Sequence, residues 1–321
     1  MPTFIKAGFW EKRTNPAQGF RGELNLDQLI TGLVPSGPIE YNANATGIQP
    51  VLGTNNASGI NSTIGGGALN TASGGCSTIG GGFSNTASNT YATIGGGRQN
   101  TASNTYSTVG GGYQNTASNG YATVSGGINN LASGYFTTIG GGLCNINSGD
   151  CATVGGGVSN TASCFHSTIG GGFSNIASGY ASTIGGGKLN SASGNRSTIG
   201  GGSNNIASCY FATISGGYCN IACGNYVTVG GGFSNTASNT YATIGGGRQN
   251  TASGAYSGIL AGKSNSTNTC ANAMIVGSGI TADRACTTFV NNLSIKNIPT
   301  SAAGLPSGSI WRSGTSVCIV I

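Results

Sequence analysis

Apolar and polar positions along residues 57–270 recur with one phase. Ile or Val stands at 64, 79, 94 and at every fifteenth residue through 259, with no insertion. Around Ile79 the pattern alternates: Ser77 and Ile79 fall on one side, and Cys76, Thr78 and Gly80 on the other. That two-residue alternation predicts a short strand with Ser77 and Ile79 inward. A second strand is predicted around Ala87, with Ala87 inward and Thr86 and Ser88 outward. Gly80–Gly82 lies between the two strands and supplies a corner, since glycine accepts φ > 0 without steric cost. Helical repeats and propeller blades need roughly 30 residues or more, so a fifteen-residue unit reads as one coil of a β-solenoid. About fourteen coils stacked ~4.8 Å apart make a rod of roughly 65–70 Å.

One row is polar throughout. Asn85, Asn100, Asn115, Asn130, Asn145, Asn160, Asn175, Asn190, Asn205, Asn220, Asn235 and Asn250 share a phase. Two readings fit: a ladder of side-chain amides bonding coil to coil, or a turn residue tolerant of a left-handed backbone. The segment Phe83–Ser103 recurs unchanged as Phe233–Ser253. Each coil turns one large and two small residues inward, so the roll is thin and both ends expose a sheet edge. We therefore divide the chain into an attachment or assembly segment at 1–50, the repeats at 51–272, and a capping segment at 273–321. Outer faces this poor in charge predict lateral self-association, with a homotrimer expected.

Composition narrows the class. The 321 residues include 61 glycines, and 6% are charged. No G-X-Y period is present, which excludes collagen. The strict phase argues against disorder, because disordered segments are aperiodic and charged. The net charge of +6 is scattered: Arg98, Asp150, Lys188, Arg196, Arg248 and Lys263 are spread along the repeats. Without a basic stripe, nucleic-acid binding is not expected. No apolar run of about 20 residues predicts membrane insertion. The start, MPTFIKAGFWEKRTNP, lacks the apolar stretch of a secretory signal. Ten cysteines form no CxxC pair or zinc spacing and read as small, reduced, packed residues.

Catalytic constellations are not legible. Glycoside hydrolysis uses two carboxylates, whereas Asp150 is the only acid in the repeats and His166 the only histidine. Gly185-Gly186-Gly187-Lys188 is followed by Leu189, not by the Ser or Thr of a phosphate loop. Cys151 and His166 share a phase in consecutive coils and Cys164 is close, but no fourth metal ligand is evident. The chain reads as a non-enzyme with no cofactor. The outward row Tyr91, Tyr106, Tyr121, Phe136, Phe211, Tyr226, Tyr241 and Tyr256 is the candidate surface. It can pack as an aromatic ladder or against neighbouring chains; exposed, it could stack on sugars or grip a receptor. Rows of Thr and Ser also raise ice binding, although Gly80 beside Thr78 makes a poor flat array.

The run Tyr91–Ser103, Y-x-T-I-G-G-G-x-x-N-T-A-S, resembles the head repeat of YadA-like trimeric autotransporter adhesins, with a unit one residue longer. The resemblance covers about residues 57–270 and implies a left-handed parallel β-roll with three chains side by side. Phe4-Ile5-Lys6-Ala7-Gly8-Phe9-Trp10 with Leu24–Ile30, and Ile298-Pro299-Thr300 with Gly304–Trp311, resemble terminal segments of phage and virion fibre proteins. That likeness implies a tail-fibre-like spike, released with the particle. Phe4, Phe9 and Trp10 would contact other virion proteins, and a host-surface glycan or protein would be the target. A self-assembling extracellular filament subunit is the alternative, and ice binding stands third.

Overall fold

The computed structural model describes residues 40–41, 48–49, 54–292, 298–307, 309–313 and 316–319. Every repeat contributes two strands of two residues each, such as Thr78–Ile79 and Thr86–Ala87. Strands of the first kind pair in parallel with the coils above and below, Thr78 opposite Thr93 and Ile79 opposite Ile94. Those of the second kind do the same, Thr86 opposite Thr101 and Ala87 opposite Ala102. A third line of parallel bridges, Ala68 to Phe83 to Arg98 and onward to Lys263, joins the coils at the glycine-rich corner. The described residues contain no helix. The architecture is an all-β parallel solenoid of about 16 coils.

The fifteen-residue phase counts only about fourteen of them. Two more coils follow, because Met274–Val276 pairs in parallel with Gly258–Ile259, and Thr288–Val290 pairs with Met274–Val276. Their spacing differs, Ile275 opposing Ile259 and Phe289 opposing Ile275, so the sheet continues where the repeat motif has lapsed. At the other end, Glu40–Tyr41 pairs antiparallel with Ile48–Gln49, and Ile48 joins the stack beside Thr63. A separate hairpin pairs Ile310–Ser313 with Ser316–Ile319.

The interior follows from the alternation. Ser77, Ile79 and Ala87 are fully buried, and the same phases are buried along the rod. A one-residue slip of either strand would expose this row and bury threonines, so burial fixes the face of each strand. Asparagine fixes the register. The backbone N–H of Asn160 donates to Asn145 Oδ1 at 3.0 Å, and Asn160 Nδ2 donates to the same oxygen at 3.1 Å. Nδ2 also reaches the carbonyls of Gly156 at 2.9 Å and Gly172 at 3.0 Å. Asn160 Oδ1 in turn accepts from the backbone and side chain of Asn175. The backbone-to-side-chain bond recurs at each of these asparagines from Asn70 on Asn55 through Asn265 on Asn250. The left-handed conformation lies one residue earlier, at Ser84 (φ 56) and its equivalents, and not at the asparagines.

Glycine is required at one corner position more than at its neighbour. Gly172 has φ +97, and a Cβ there would lie 2.1 Å from Gly187 O, whereas a Cβ on Gly171 would meet nothing within 4 Å. Gly172→Ala should therefore lower the unfolding midpoint well below that of Gly171→Ala in parallel thermal melts, the left-handed backbone alone costing about 1–2 kcal/mol. Asn160→Ala removes the amide bonds to the Gly156 and Gly172 carbonyls, the latter keeping the Val158 N–H, and leaves the Asn175 N–H without its acceptor, which predicts a loss of about 2–4 kcal/mol in denaturant titrations. Asn160→Asp should not rescue it, since a carboxylate cannot donate to the glycine carbonyls.

Candidate interaction surfaces

The eight outward aromatics sit at the corner that precedes each first strand, all with φ between 53° and 58°. Holding a bulky residue there is unfavourable by about 1–2 kcal/mol, and ring stacking returns roughly 0.5–1.5 kcal/mol per pair. They form two blocks. Tyr91 and Tyr106 stack with centroids 4.9 Å apart and planes 7° from parallel, Tyr106 and Tyr121 at 4.9 Å, and Tyr121 and Phe136 at 4.6 Å. Toward the C-terminal end, Phe211 and Tyr226 stack at 5.3 Å, Tyr226 and Tyr241 at 5.0 Å, and Tyr241 and Tyr256 at 5.0 Å. Between the blocks the same phase holds Cys151, His166, Ala181 and Arg196.

Stacking decides what each ring can offer. Within a block, the faces cover one another, leaving edges and the tyrosine hydroxyls toward solvent. Open faces remain only at block ends, and one of these is taken: Arg196 Cζ lies 5.4 Å from the centroid of Phe211, while its guanidinium donates to the Tyr210 hydroxyl at 2.7 Å. Tyr135 adds an edge-on contact to Phe136, with centroids 4.5 Å apart.

The opposite corner carries a second ridge that the sequence reading missed. Arg98 lies between Phe83 and Tyr113, its Cζ 5.6 Å from either ring centroid. Ile128, Leu143, Val158 and Phe173 continue the ridge in register, and Lys188 Nζ lies 5.6 Å from the Phe173 centroid. Farther along, Arg248 Cζ lies 5.1 Å from the Phe233 centroid. Beside the ridge runs the outward position of the second strand. It is mostly Thr in the outer coils, whereas toward the middle it holds Leu131, Ile146, Ile176, Ile206 and Ile221, interrupted by Thr161 and Ser191. Ile146, Ile176 and Ile206 are 40%, 46% and 41% exposed. The signal was available as a departure from the repeat's own threonine, confined to one phase and the middle third of the rod.

Charge chemistry is sparse. Asp150 Oδ1 accepts the Tyr135 backbone N–H at 2.7 Å, and His166 packs edge-on to Phe165 with centroids 4.1 Å apart. Among the described residues, no group of three or more His, Cys, Asp or Glu side chains is placed to hold a metal ion. Asp283 and Arg284 form an exposed ion pair at 2.9 Å, and hydrogen bonding to Arg284 holds the Asp283 carboxyl below its ordinary range. Nine cysteines are described, all as free thiols. No helix among the described residues is long and apolar enough to cross a membrane. Phe4, Phe9 and Trp10 lie outside the described residues.

A family described as the ubiquitous surface protein adhesin repeat matches residues 167–179, about one coil of the stack. No curated protein matches the chain. An adhesin-type repeat on a parallel solenoid fits a fibrous role, structural or adhesive.

Proposed function

We propose that the chain is a virion fibre or spike protein, tail-fibre-like, whose solenoid is a rigid spacer able to touch a host surface. The observation that carries the fibrous reading is the unbroken parallel pairing from Ile48 to Val290, together with side chains that stay apolar or uncharged over most of its outside. The virion assignment is supported by the terminal motifs, with residues 1–50, including Phe4, Phe9 and Trp10, serving as the attachment to other virion proteins. In this reading the asparagine ladder is structural, and the aromatic blocks stiffen the two ends of the rod against shear between coils. Any sugar stacking would be confined to the outer faces of Tyr91, Phe136 and Tyr256, the last 61% exposed.

Self-association belongs to the same reading. Exposed apolar patches of this kind mark interaction sites, and Ile146, Ile176 and Ile206, on alternate coils beside Leu143 and Phe173, form the face on which copies would pack, giving a homotrimer. Solution mass over a concentration series, followed by electron microscopy, tests this. A constant three-chain mass with short uniform rods is expected. Long polymers formed without a partner would favour the filament subunit instead, and a constant single-chain mass would contradict self-association.

Two sets of variants separate the surfaces. Ile146→Thr with Ile176→Thr restores the repeat's own residue and should lower the oligomer mass while leaving the coil fold intact by circular dichroism. Tyr106→Ala and Tyr241→Ala should each lower the melting temperature by a few degrees through lost stacking. If both instead kept that temperature and the oligomer but lost binding on a glycan array, the row would be a receptor contact and not packing.

A further inference from the structure

Successive coils bring one pair of cysteines to adjoining positions. Cys209 occupies the corner phase held by Asn104, Asn119 and Asn239 elsewhere, and Cys223 occupies the outward phase held by Ser88, Ser103 and their equivalents. In other coils the corner side chain reaches one coil onward: Asn119 Nδ2 donates to Ser133 O at 3.1 Å, and Asn239 Nδ2 to Ser253 O at 3.0 Å. Cys209 Sγ takes that place and donates to Cys223 O at 2.7 Å. The corner geometry aims this side chain along the stack, since a Cβ built on the equivalent Gly194 meets the backbone of Cys209, its nitrogen 2.7 Å away. Both thiols are partly buried and free.

We propose that Cys209 and Cys223 are a covalent staple between coils, closing to a disulfide under oxidising conditions. Register sets the spacing. Ala207 faces Ala222, so Cys209 lies one residue past the partner of Cys223. Facing residues of adjacent coils are ~4.8 Å apart and one step along a strand adds ~3.3 Å, which puts this diagonal pair at about 6 Å, within the Cα separations of roughly 4.4–6.8 Å at which disulfides form. Closure then requires the Cys223 sulfur to turn toward the Cys209 sulfur, which already lies against the Cys223 carbonyl.

Oxidised glutathione is a sufficient oxidant. One cysteine thiolate attacks the glutathione disulfide and releases a glutathione thiolate. The second cysteine thiolate then displaces the remaining glutathione, forming the Cys209–Cys223 bond. Two electrons leave the protein sulfurs, the glutathione S–S bond breaks, and the two thiol protons end on two reduced glutathiones. Burial, with Cys209 beside it, holds the Cys223 thiol above its ordinary range, so closure should quicken as pH rises and thiolate forms. The link would tie the coil entering the second aromatic block, next to Tyr210 and Phe211, to the coil after it. It rests on contact geometry and is independent of the virion reading.

The test treats the full chain with oxidised glutathione, then digests it without reduction for mass spectrometry. A cross-linked Cys209–Cys223 peptide is expected, with a melting temperature raised by several degrees that returns to its starting value on reduction. Cys223→Ser restores the repeat's own residue and Cys209→Asn installs the residue that Asn119 and Asn239 hold at that corner, so both retain the coil and should show neither the link nor the rise. Two thiols left free, two separate glutathione adducts, or Cys209 joined to a different cysteine would overturn the pairing. A link without any rise in melting temperature would overturn its role as a staple.

Discussion

The buried amide chain that joins each asparagine to the next is the interaction on which this rod depends. Apolar burial is non-directional, and each coil contributes only one large inward side chain beside small ones such as Ser77 and Ala87. Such a core says which face is inside but leaves the position of one coil over another weakly specified. The asparagines remove that freedom. Each joins two neighbouring asparagines and the carbonyls of two glycine corners, with every amide pointing in the same sense along the stack. Aligned chains of hydrogen bonds polarise one another, and burial makes each unmade bond expensive. The ladder therefore sets the fifteen-residue register, and the strands follow it.

That register requires tight corners. Two non-glycine residues per coil, such as Ser84 and Tyr91, sit in the left-handed region, where only the surrounding structure can hold them. Ser84 directly precedes a ladder asparagine. Tyr91 is held by its backbone bond to Gly75 O at 2.9 Å and by its stacked neighbour. The corners consequently project side chains at regular spacing along the rod. The outward side chains vary far more from coil to coil than the small and aliphatic interior: stacked corner aromatics toward the two ends, and aliphatics on the second strands beside the opposite ridge in the middle. A single scaffold thus carries distinct surfaces at distinct heights.

Much of this was legible in the chain. The Ile79 phase and the Ser77/Thr78 alternation gave coil length, strand count and inward face, because period-two patterning and close packing leave few alternatives at fifteen residues. The last two coils were hidden, since Ile275 and Phe289 oppose their partners at altered spacing and the glycine triplet is gone. The apolar ridge through Phe83, Ile128 and Phe173 was missed for another reason. Its phase holds residues as different as Phe, Arg, Val and Ser, so no hydrophobic period marks it, and only the coil geometry lines it up. The backbone at Tyr91 was equally hidden, because left-handed conformations are read from glycine or asparagine and seldom from tyrosine. The stacked rings also show why an outward aromatic row need not present ring faces to a ligand.

Hydrogen exchange of the backbone amides, resolved along residues 70–265, tests the ladder most directly. The account predicts that the asparagine amides exchange as slowly as those of the strand residues Ile79 and Ala87, with protection continuous from coil to coil. Asparagine amides that exchange as fast as those of exposed corner residues would contradict it, and would leave the thin apolar core to hold the register alone.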